Sequence, residues 1–109
     1  MRGGRMSSAG TPCFMVVIAR IPAMTESLAR YSRQTAELLA RHGGEYLVRG
    51  GPLELLEGSW PDERRVVVSR WPSLEALRAF WSSSDYQQMI KPLRAGTGDY
   101  DVAVFPAAQ

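Results

Sequence analysis

The residues with the clearest capacity for chemistry are the single histidine, His42, and the nearby Arg49. An imidazole can take up or release a proton near neutral pH, so His42 could act as a general acid or base in a pocket. His42 also falls on the apolar stripe at the end of a predicted helix, where a packed histidine can hydrogen-bond the last carbonyl groups. The sequence leaves both interpretations open, a proton carrier and a structural cap.

Arg49 and Glu57 are the charged candidates for the same site. Strand alternation predicts that Arg49 shares a face with Glu45 and Leu47. Its guanidinium could hold a carboxylate or enolate oxygen through paired donors, or it could pair with Glu57 or Asp101. Glu57 could in turn serve as a base near the mouth of a cavity, or it could be the partner of an arginine.

Aromatic residues supply the candidates for substrate binding, which are Tyr31, Trp60 and Trp81. Together with Tyr86 they could line a pocket, although aromatic residues at helical spacing are also typical of a core. Trp60 differs because it lies in a predicted turn, where a tryptophan needs a cover. A bound ligand and a second copy of the chain are both plausible covers.

The composition excludes several other classes of function. One cysteine, Cys13, and one histidine in 109 residues are too few for an internal disulfide or a structural zinc site. A net charge of +2 does not predict a surface for nucleic acid or for an anionic membrane. No glycine-rich dinucleotide or phosphate loop is present, and no stretch reaches the roughly twenty apolar residues of a membrane span. We therefore predict no metal, no cofactor and a cytoplasmic location.

The elements that would position these residues follow one another as strand, helix, strand, strand, helix and strand. The unbroken apolar run 14–19 and the valine-rich run 64–71 predict strands covered on both faces. Thr25 and Gly43 predict the ends of the first helix, and Pro72-Ser73 predicts the start of the second. The remaining predictions are strand 45–49 with an edge continuation at 53–57, a further helix capped by Ser84 or Asp85 and shortened by Pro92, and a last strand at 100–105.

This order predicts an α+β fold of the ferredoxin-like type, in which an antiparallel sheet carries both helices on one face. We expect one domain over residues 13–106, a disordered leader over 1–12 and a tail over 107–109. The first and last strands lack the alternation expected if the other sheet face met water. A second copy of the chain would cover that face, so a homodimer packed sheet to sheet is expected.

Several segments of the sequence resemble the domain of unknown function 1330 family, a member of the dimeric α/β-barrel superfamily. The resemblance covers roughly residues 14–105. It is carried by Tyr31, His42-Gly-Gly-Glu-Tyr-Leu-Val-Arg-Gly-Gly51, Leu56-Glu-Gly-Ser-Trp-Pro61, Ser84-Asp-Tyr86 and Pro92-Leu-Arg94. It implies a ferredoxin-like protomer and a dimer, and it implies no particular reaction.

More distant relatives in that superfamily include muconolactone isomerases, polyketide cyclases, quinol monooxygenases and haem-degrading enzymes, which tend to use a pocket between sheet and helices. Our first functional hypothesis is a small cofactor-independent enzyme of isomerase, cyclase or lyase type. Its substrate would bear a carboxylate or carbonyl group, with His42 moving a proton, Arg49 stabilising negative charge and Glu57 contributing to catalysis. The alternative is a non-catalytic homodimeric module that binds a small ligand.

Overall fold

The computed structural model describes residues 10–108, so most of the expected leader and the last residue of the expected tail lie outside the described residues. The regular elements are strand β1 (Cys13–Arg20), helix α1 (Glu26–Arg41), strands β2 (Glu45–Arg49) and β3 (Arg64–Trp71), helix α2 (Leu74–Trp81), a π-helical segment (Asp85–Ile90), a 3-10 segment (Lys91–Arg94) and strand β4 (Asp99–Pro106).

The four strands form one antiparallel sheet in the order β2-β3-β1-β4. Side chains from α1, α2 and the π-helical segment pack together against one face of this sheet, around the buried Trp71, Phe80 and Tyr86. The predicted ferredoxin-like α+β fold is therefore confirmed. The helical layer and the sheet face beneath it enclose the core.

Local hydrogen bonds explain why the helices begin and end where the sequence predicts. The Thr25 hydroxyl accepts from the amide of Leu28 at 3.0 Å, and the Ser73 hydroxyl accepts from the amide of Ala76 at 3.0 Å. Both are N-caps that satisfy otherwise unpaired amides. Gly43 ends α1 because its φ of +87° is a left-handed conformation that favours glycine.

The helix predicted after Ser84 is wound more widely than an α-helix. Residues 85–90 form a π-helical segment in which Tyr86 and Ile90 are buried and Met89 is 68% exposed. The segment therefore turns Tyr86 and Ile90 toward the core and Met89 away from it.

The predicted edge continuation at residues 53–57 is not a strand. Gly50 makes the last ladder contact of this edge, with its amide donating to the carbonyl of Val66 at 2.9 Å. Its φ of +65° then turns the chain, and Pro52 has no amide to donate to a ladder. The chain therefore leaves the sheet after β2 and returns only at β3.

The face of the sheet away from the helices, which we call the outer face, is partly exposed and apolar at its centre. Ile18, Val48 and Phe105 are 40%, 47% and 53% exposed. Its apolar side chains are Phe14, Val16, Ile18, Val48, Val66, Val68, Ala103 and Phe105, and it also carries the charged Arg20, Glu45, Arg64, Arg70, Asp99 and Asp101. We predicted that β1 and β3 are covered on both faces. Within the single chain, the helices cover one face of these strands and the outer face stays partly exposed. Within residues 10–108, no helix is long and apolar enough to cross a membrane.

Candidate functional site

A cavity of about 270 Å³ lies between the sheet and the helical layer. The sheet contributes inward side chains of all four strands, and α1 contributes one face along most of its length. The apolar and aromatic part of its lining includes Met15, Val17, Leu28, Tyr31, Leu39, Val67, Phe80, Trp81, Tyr86 and Val102. This volume is close to the lower end of the roughly 300–1,000 Å³ typical of pockets for small organic ligands.

The cavity opens at the end of the sheet where β1 and β2 finish and β3 begins. Met24, which lines this end, is 68% exposed, and Arg49 and Arg65 are also exposed. At the opposite end, Phe80 is fully buried and Tyr86 is 2% exposed. A ligand would therefore enter past the two arginines and extend toward the aromatic end.

Two tyrosine hydroxyls meet inside the cavity. The hydroxyls of Tyr31 and Tyr86 are 2.8 Å apart, and the Tyr86 ring lies 5.1 Å from the ring of Trp81. Burial raises the pKa of Tyr86, and the neighbouring Tyr31 raises it further. Tyr86 therefore remains a neutral phenol near pH 7, available for hydrogen bonding but not as a base.

Arg49 reaches the cavity because strand β2 is irregular. The pairing of β2 with β3 shifts between Tyr46 and Val48, so Leu47 is the extra residue of a bulge. This shift moves Arg49 onto the face of Tyr46, whereas simple alternation predicted the opposite face. The prediction that the side chain of Arg49 shares a face with Glu45 is therefore wrong, because the bulge shifts the alternation by one residue.

The guanidinium of Arg49 is held by two elements. It lies 4.4 Å from the centroid of the Tyr46 ring, and its Nη2 donates to the carbonyl and the hydroxyl of Ser32, each at 3.0 Å. Within residues 10–108 it forms no ion pair with Glu57 or Asp101, the two partners considered from the sequence. Burial raises the pKa of Tyr46, and the positive charge of Arg49 partly opposes that effect.

The charged side chains that line the cavity are Arg49 and Arg65, and no acidic side chain of residues 10–108 lines it. Arg65 is turned toward the mouth and donates to the carbonyl of Asp62 at 2.6 Å. Two positive charges beside an apolar space favour an anionic group at the mouth.

His42 lies outside this cavity. It is the C-cap residue of α1, its Nδ1 is 3.0 Å from the carbonyl of Leu38, and its ring packs 6.0 Å from that of Phe80. This is the geometry of the structural cap that the sequence left open. Phe80 itself lines the cavity, so His42 contacts the wall of the cavity but not its interior.

Glu57 and Trp60 also lie elsewhere. Glu57 is exposed in the irregular chain between β2 and β3. Trp60 lines an adjoining open groove that shares Arg49 and Arg65 with the cavity. Its Nε1 donates to the carbonyl of Arg64 at 3.4 Å, and its ring lies 5.1 Å from the Arg64 guanidinium. The cavity lining therefore includes Tyr31, Arg49 and Trp81 and leaves out Glu57, Trp60 and His42.

Thr35, Tyr46 and Arg65 line the cavity but were not among the sequence-based site candidates. Thr35 follows Tyr31 by one helical turn on the inward stripe, which is a signal present in the sequence. Arg65 alternates with Val67 along β3 and so shares its inward face. Within residues 10–108 there is no cluster of His, Cys, Asp and Glu side chains able to hold a metal ion.

Comparisons with known proteins identify a family and the fold. A family described as Domain of unknown function (DUF1330) matches residues 13–108. No curated protein matches the chain. A crystal structure of a protein of unknown function from Rhodopseudomonas palustris is similar with a TM-score of 0.70 and 19% identity, covering 99% of this chain and 96% of that one.

Two further solved structures share the architecture. SnoaB, a cofactor-independent oxygenase from Streptomyces nogalater, is similar with a TM-score of 0.64 and 19% identity over 92% of this chain and 96% of its own. A dimeric ferredoxin-like protein of unknown function from Thermobifida fusca is similar with a TM-score of 0.62 and 16% identity, over 90% and 92% of the two chains. At these identities the likeness concerns the fold.

Proposed function

The chain belongs to the DUF1330 family, whose description names no activity, and we propose from the cavity itself that the protein is a small cofactor-independent enzyme acting on an organic anion. The substrate would be a mainly apolar molecule of one or two rings that carries a carboxylate or an enolisable carbonyl group. It would bind between the sheet and the helices, with its anionic oxygen at the mouth.

One observation carries this proposal, namely an apolar cavity lined by two guanidinium groups and, within residues 10–108, by no carboxylate. An arginine has five N–H donors, and Arg49 uses Nη2 for Ser32. Nε and Nη1 are then available to donate, one from each side of the guanidinium, and the positive charge of the group favours a carboxylate or an enolate oxygen as the acceptor.

The chemical role that follows is stabilisation of negative charge. The lining offers a charged hydrogen-bond donor at the mouth, the guanidinium of Arg49. Donors aimed at a developing enolate oxygen lower the barrier to its formation. A carbonyl compound that is itself acidic could then lose its proton to water at the mouth, and isomerisation, cyclisation or loss of a leaving group could start from that enolate.

The proposal gives His42 no part in proton transfer, because its Nδ1 faces the carbonyl of Leu38 and its ring lies outside the cavity. The cofactor-independent part of the proposal is supported by the likeness to SnoaB, which is described as a cofactor-independent oxygenase. That likeness is one of fold, so the reaction type is argued from the cavity.

We further propose that the protein is a homodimer in which two outer faces pack together. Support comes from the apolar, partly exposed outer face and from the dimeric ferredoxin-like neighbour of Thermobifida fusca. A buried apolar sheet face would be more stable than one exposed to water. Packing through this face leaves the cavity, on the other side of the sheet, open to ligands.

The test is a calorimetric titration of the wild-type protein and an Arg49→Gln variant with 2-naphthoate and with the uncharged 2-naphthalenemethanol. We expect 2-naphthoate to bind the wild type more tightly, and Arg49→Gln to weaken naphthoate binding about 10- to 100-fold, since a charge-assisted hydrogen bond is lost. Binding of the alcohol should change little.

The matched control is Arg33→Gln, which removes an equal charge from an exposed position on α1 that does not line the cavity. It should leave naphthoate binding unchanged. Equal weakening by both substitutions would mean that overall charge, and not the cavity, attracts the anion. Unaltered binding in Arg49→Gln would remove the basis of the proposal.

A second candidate function is a binding module that holds such an anion without converting it. The observation that favours it is that, among residues 10–108, no histidine and no carboxylate lines the cavity to move a proton near pH 7. Turnover decides between the two. An enzyme should accelerate hydrogen–deuterium exchange at the acidic carbon of a bound 1,3-dicarbonyl compound, whereas a binding module should leave that rate unchanged.

A further inference from the structure

We propose that the hydroxyl of Thr35 binds a second, neutral oxygen of the ligand inside the cavity. The ligand would then be an apolar molecule with an anionic group at one end and a hydroxyl or carbonyl oxygen farther in. This inference rests on the proposed function and narrows its substrate class, because an apolar acid without the second oxygen would leave Thr35 unpaired.

The starting observation is an unpaired polar atom. Thr35 is 7% exposed, it lines the cavity, and its Oγ1 is the buried side-chain oxygen or nitrogen within residues 10–108 that has no hydrogen-bond partner. A helical threonine can donate to the carbonyl of the residue four positions earlier, here Tyr31, but the Thr35 hydroxyl forms no such bond. Buried polar atoms without a partner are rare and call for an explanation.

The other buried hydroxyls around the cavity are already paired with each other or with the core. The hydroxyls of Tyr31 and Tyr86 bond at 2.8 Å, and the Ser69 hydroxyl accepts from Nε1 of Trp71 at 2.9 Å. These groups therefore contribute to the structure without a ligand. Thr35 differs from them because its hydroxyl has both a donor and an acceptor function left to offer.

The position of Thr35 places it one helical turn from Arg49. Helix α1 runs from the mouth, where Leu28 lies, to the closed end, where Leu39 lies, and Thr35 is between them on the same stripe. The Arg49 guanidinium is bonded to Ser32, three residues before Thr35 on the same helix. A ligand oxygen held by Arg49 would therefore leave the Thr35 hydroxyl about one turn, roughly 5 Å, farther in, which favours a molecule with a second oxygen at that spacing.

The experiment compares 2-naphthoate with 6-hydroxy-2-naphthoate, and benzoate with 4-hydroxybenzoate, by calorimetric titration of the wild type, Thr35→Val and Thr35→Ser. Valine keeps the branched shape and a similar helix propensity, and serine keeps the hydroxyl. We expect Thr35→Val to weaken binding of at least one hydroxylated acid about tenfold while its unsubstituted parent is unaffected. Thr35→Ser should bind like the wild type.

A measurement without ligand tests the premise. Because valine removes an unpaired buried hydroxyl, Thr35→Val should raise the melting temperature of the ligand-free protein. A lowered melting temperature would mean that Thr35 has a partner such as a bound water, and would overturn the inference.

The binding outcomes separate this inference from the proposed function. If hydroxylated and parent acids bind the wild type, and all of them bind Thr35→Val equally well, the role of Thr35 is wrong and the proposed function stands. If none of the acids binds the wild type, the proposed function fails and this inference fails with it.

Discussion

Single residues decide what kind of chemistry the cavity can support. Its walls provide hydrogen-bond donors, and the two tyrosines whose pKa is raised, the partly buried Tyr46 and the buried Tyr86, resist ionisation. The cause in each case is first of all desolvation, since a phenolate would have to leave water. A site of this kind stabilises an anion that the ligand brings and does not generate one on the protein.

The raised pKa of Tyr86 makes stability depend on pH in a defined direction. Below the ordinary value of 10.0, the phenol is protonated in both the folded and the unfolded chain. Above pH 10 the unfolded chain releases this proton while the folded protein retains it, so the free energy of unfolding falls as the pH rises. One such group contributes a loss of up to about 1.4 kcal/mol per pH unit.

We therefore predict that Tyr86→Phe has a shallower alkaline decrease in stability than the wild type. Urea unfolding at several values between pH 8 and pH 11 measures it. Near pH 8 the variant should be less stable by about 1 kcal/mol, because the bond to Tyr31 is lost. Identical slopes above pH 10 in the two proteins would show that Tyr86 ionises equally in the folded and unfolded states.

At the scale of elements, the parts that could be predicted are those fixed by local signals. The N-caps Thr25 and Ser73 and the left-handed Gly43 act within one turn of the chain, so the helix limits follow from the sequence. Strands β2 and β3 also have the predicted limits. Each of these predictions depends on residues that are close together in the sequence.

The element that could not be predicted is the bulge at Leu47. A single extra residue in a strand leaves no mark on the hydrophobic pattern, yet it moves all later side chains to the other face. Here it moves Arg49 beside Tyr46 and into the cavity. Arg49 could be proposed as a site residue from its chemistry alone. The face of the sheet on which its side chain lies, however, depends on how β2 pairs with β3.

Gly44, between the end of α1 and the start of β2, packs closely against the core, and this packing predicts the effect of adding a methyl group there. A Cβ added to Gly44 would lie 2.8 Å from Cγ of Leu39 and 3.0 Å from Cη2 of Trp71, both deeply buried side chains. Gly44→Ala should therefore destabilise the protein by about 1–3 kcal/mol through overpacking, measured by urea unfolding.

Gly51→Ala is the matched control, because no atom lies within 4 Å of the added Cβ and Gly51 has no positive φ. It should change stability by less than about 0.5 kcal/mol. If both alanine variants were equally stable, the helix and the strand would be less tightly packed than the structure indicates.

At the scale of the whole molecule, the apolar side chains divide between two faces of one sheet. The helical side is filled by a core and a cavity, and the outer face is left partly exposed. The expectation of a partner for that face came from the first and last strands, which lack apolar-polar alternation in the sequence. Our proposal of a homodimer continues that argument.

We predict that the wild-type protein has twice the mass of one chain in light scattering after size-exclusion chromatography. Val16→Lys, in the middle of the outer face, should reduce that mass to a single chain, because a buried charge without a partner is strongly unfavourable. Ala79→Lys, on the exposed side of α2, should remain a dimer.

Circular dichroism checks that Val16→Lys is still folded. A wild-type protein with the mass of one chain at micromolar concentration would contradict the dimer.

The candidate site could be predicted only in part, because its members meet through long-range packing. Tyr31, Arg49 and Trp81 come from α1, β2 and α2 and line one cavity. His42 has a chemically versatile side chain, but the end of α1 directs it to the carbonyl of Leu38. Residue type therefore identified candidates, and the crossing of helix and sheet decided which of them share a space.

The central claim is that the cavity between sheet and helices binds a small apolar anion, and methyl NMR with 2-naphthoate tests it most directly. Neighbouring valines serve as internal controls, because Val17 and Val67 line the cavity whereas Val16 and Val68 lie on the outer face. We expect the methyl signals of Val17 and Val67 to move with increasing naphthoate while those of Val16 and Val68 stay in place. Movement confined to the outer-face valines, or no movement at all, would contradict the claim.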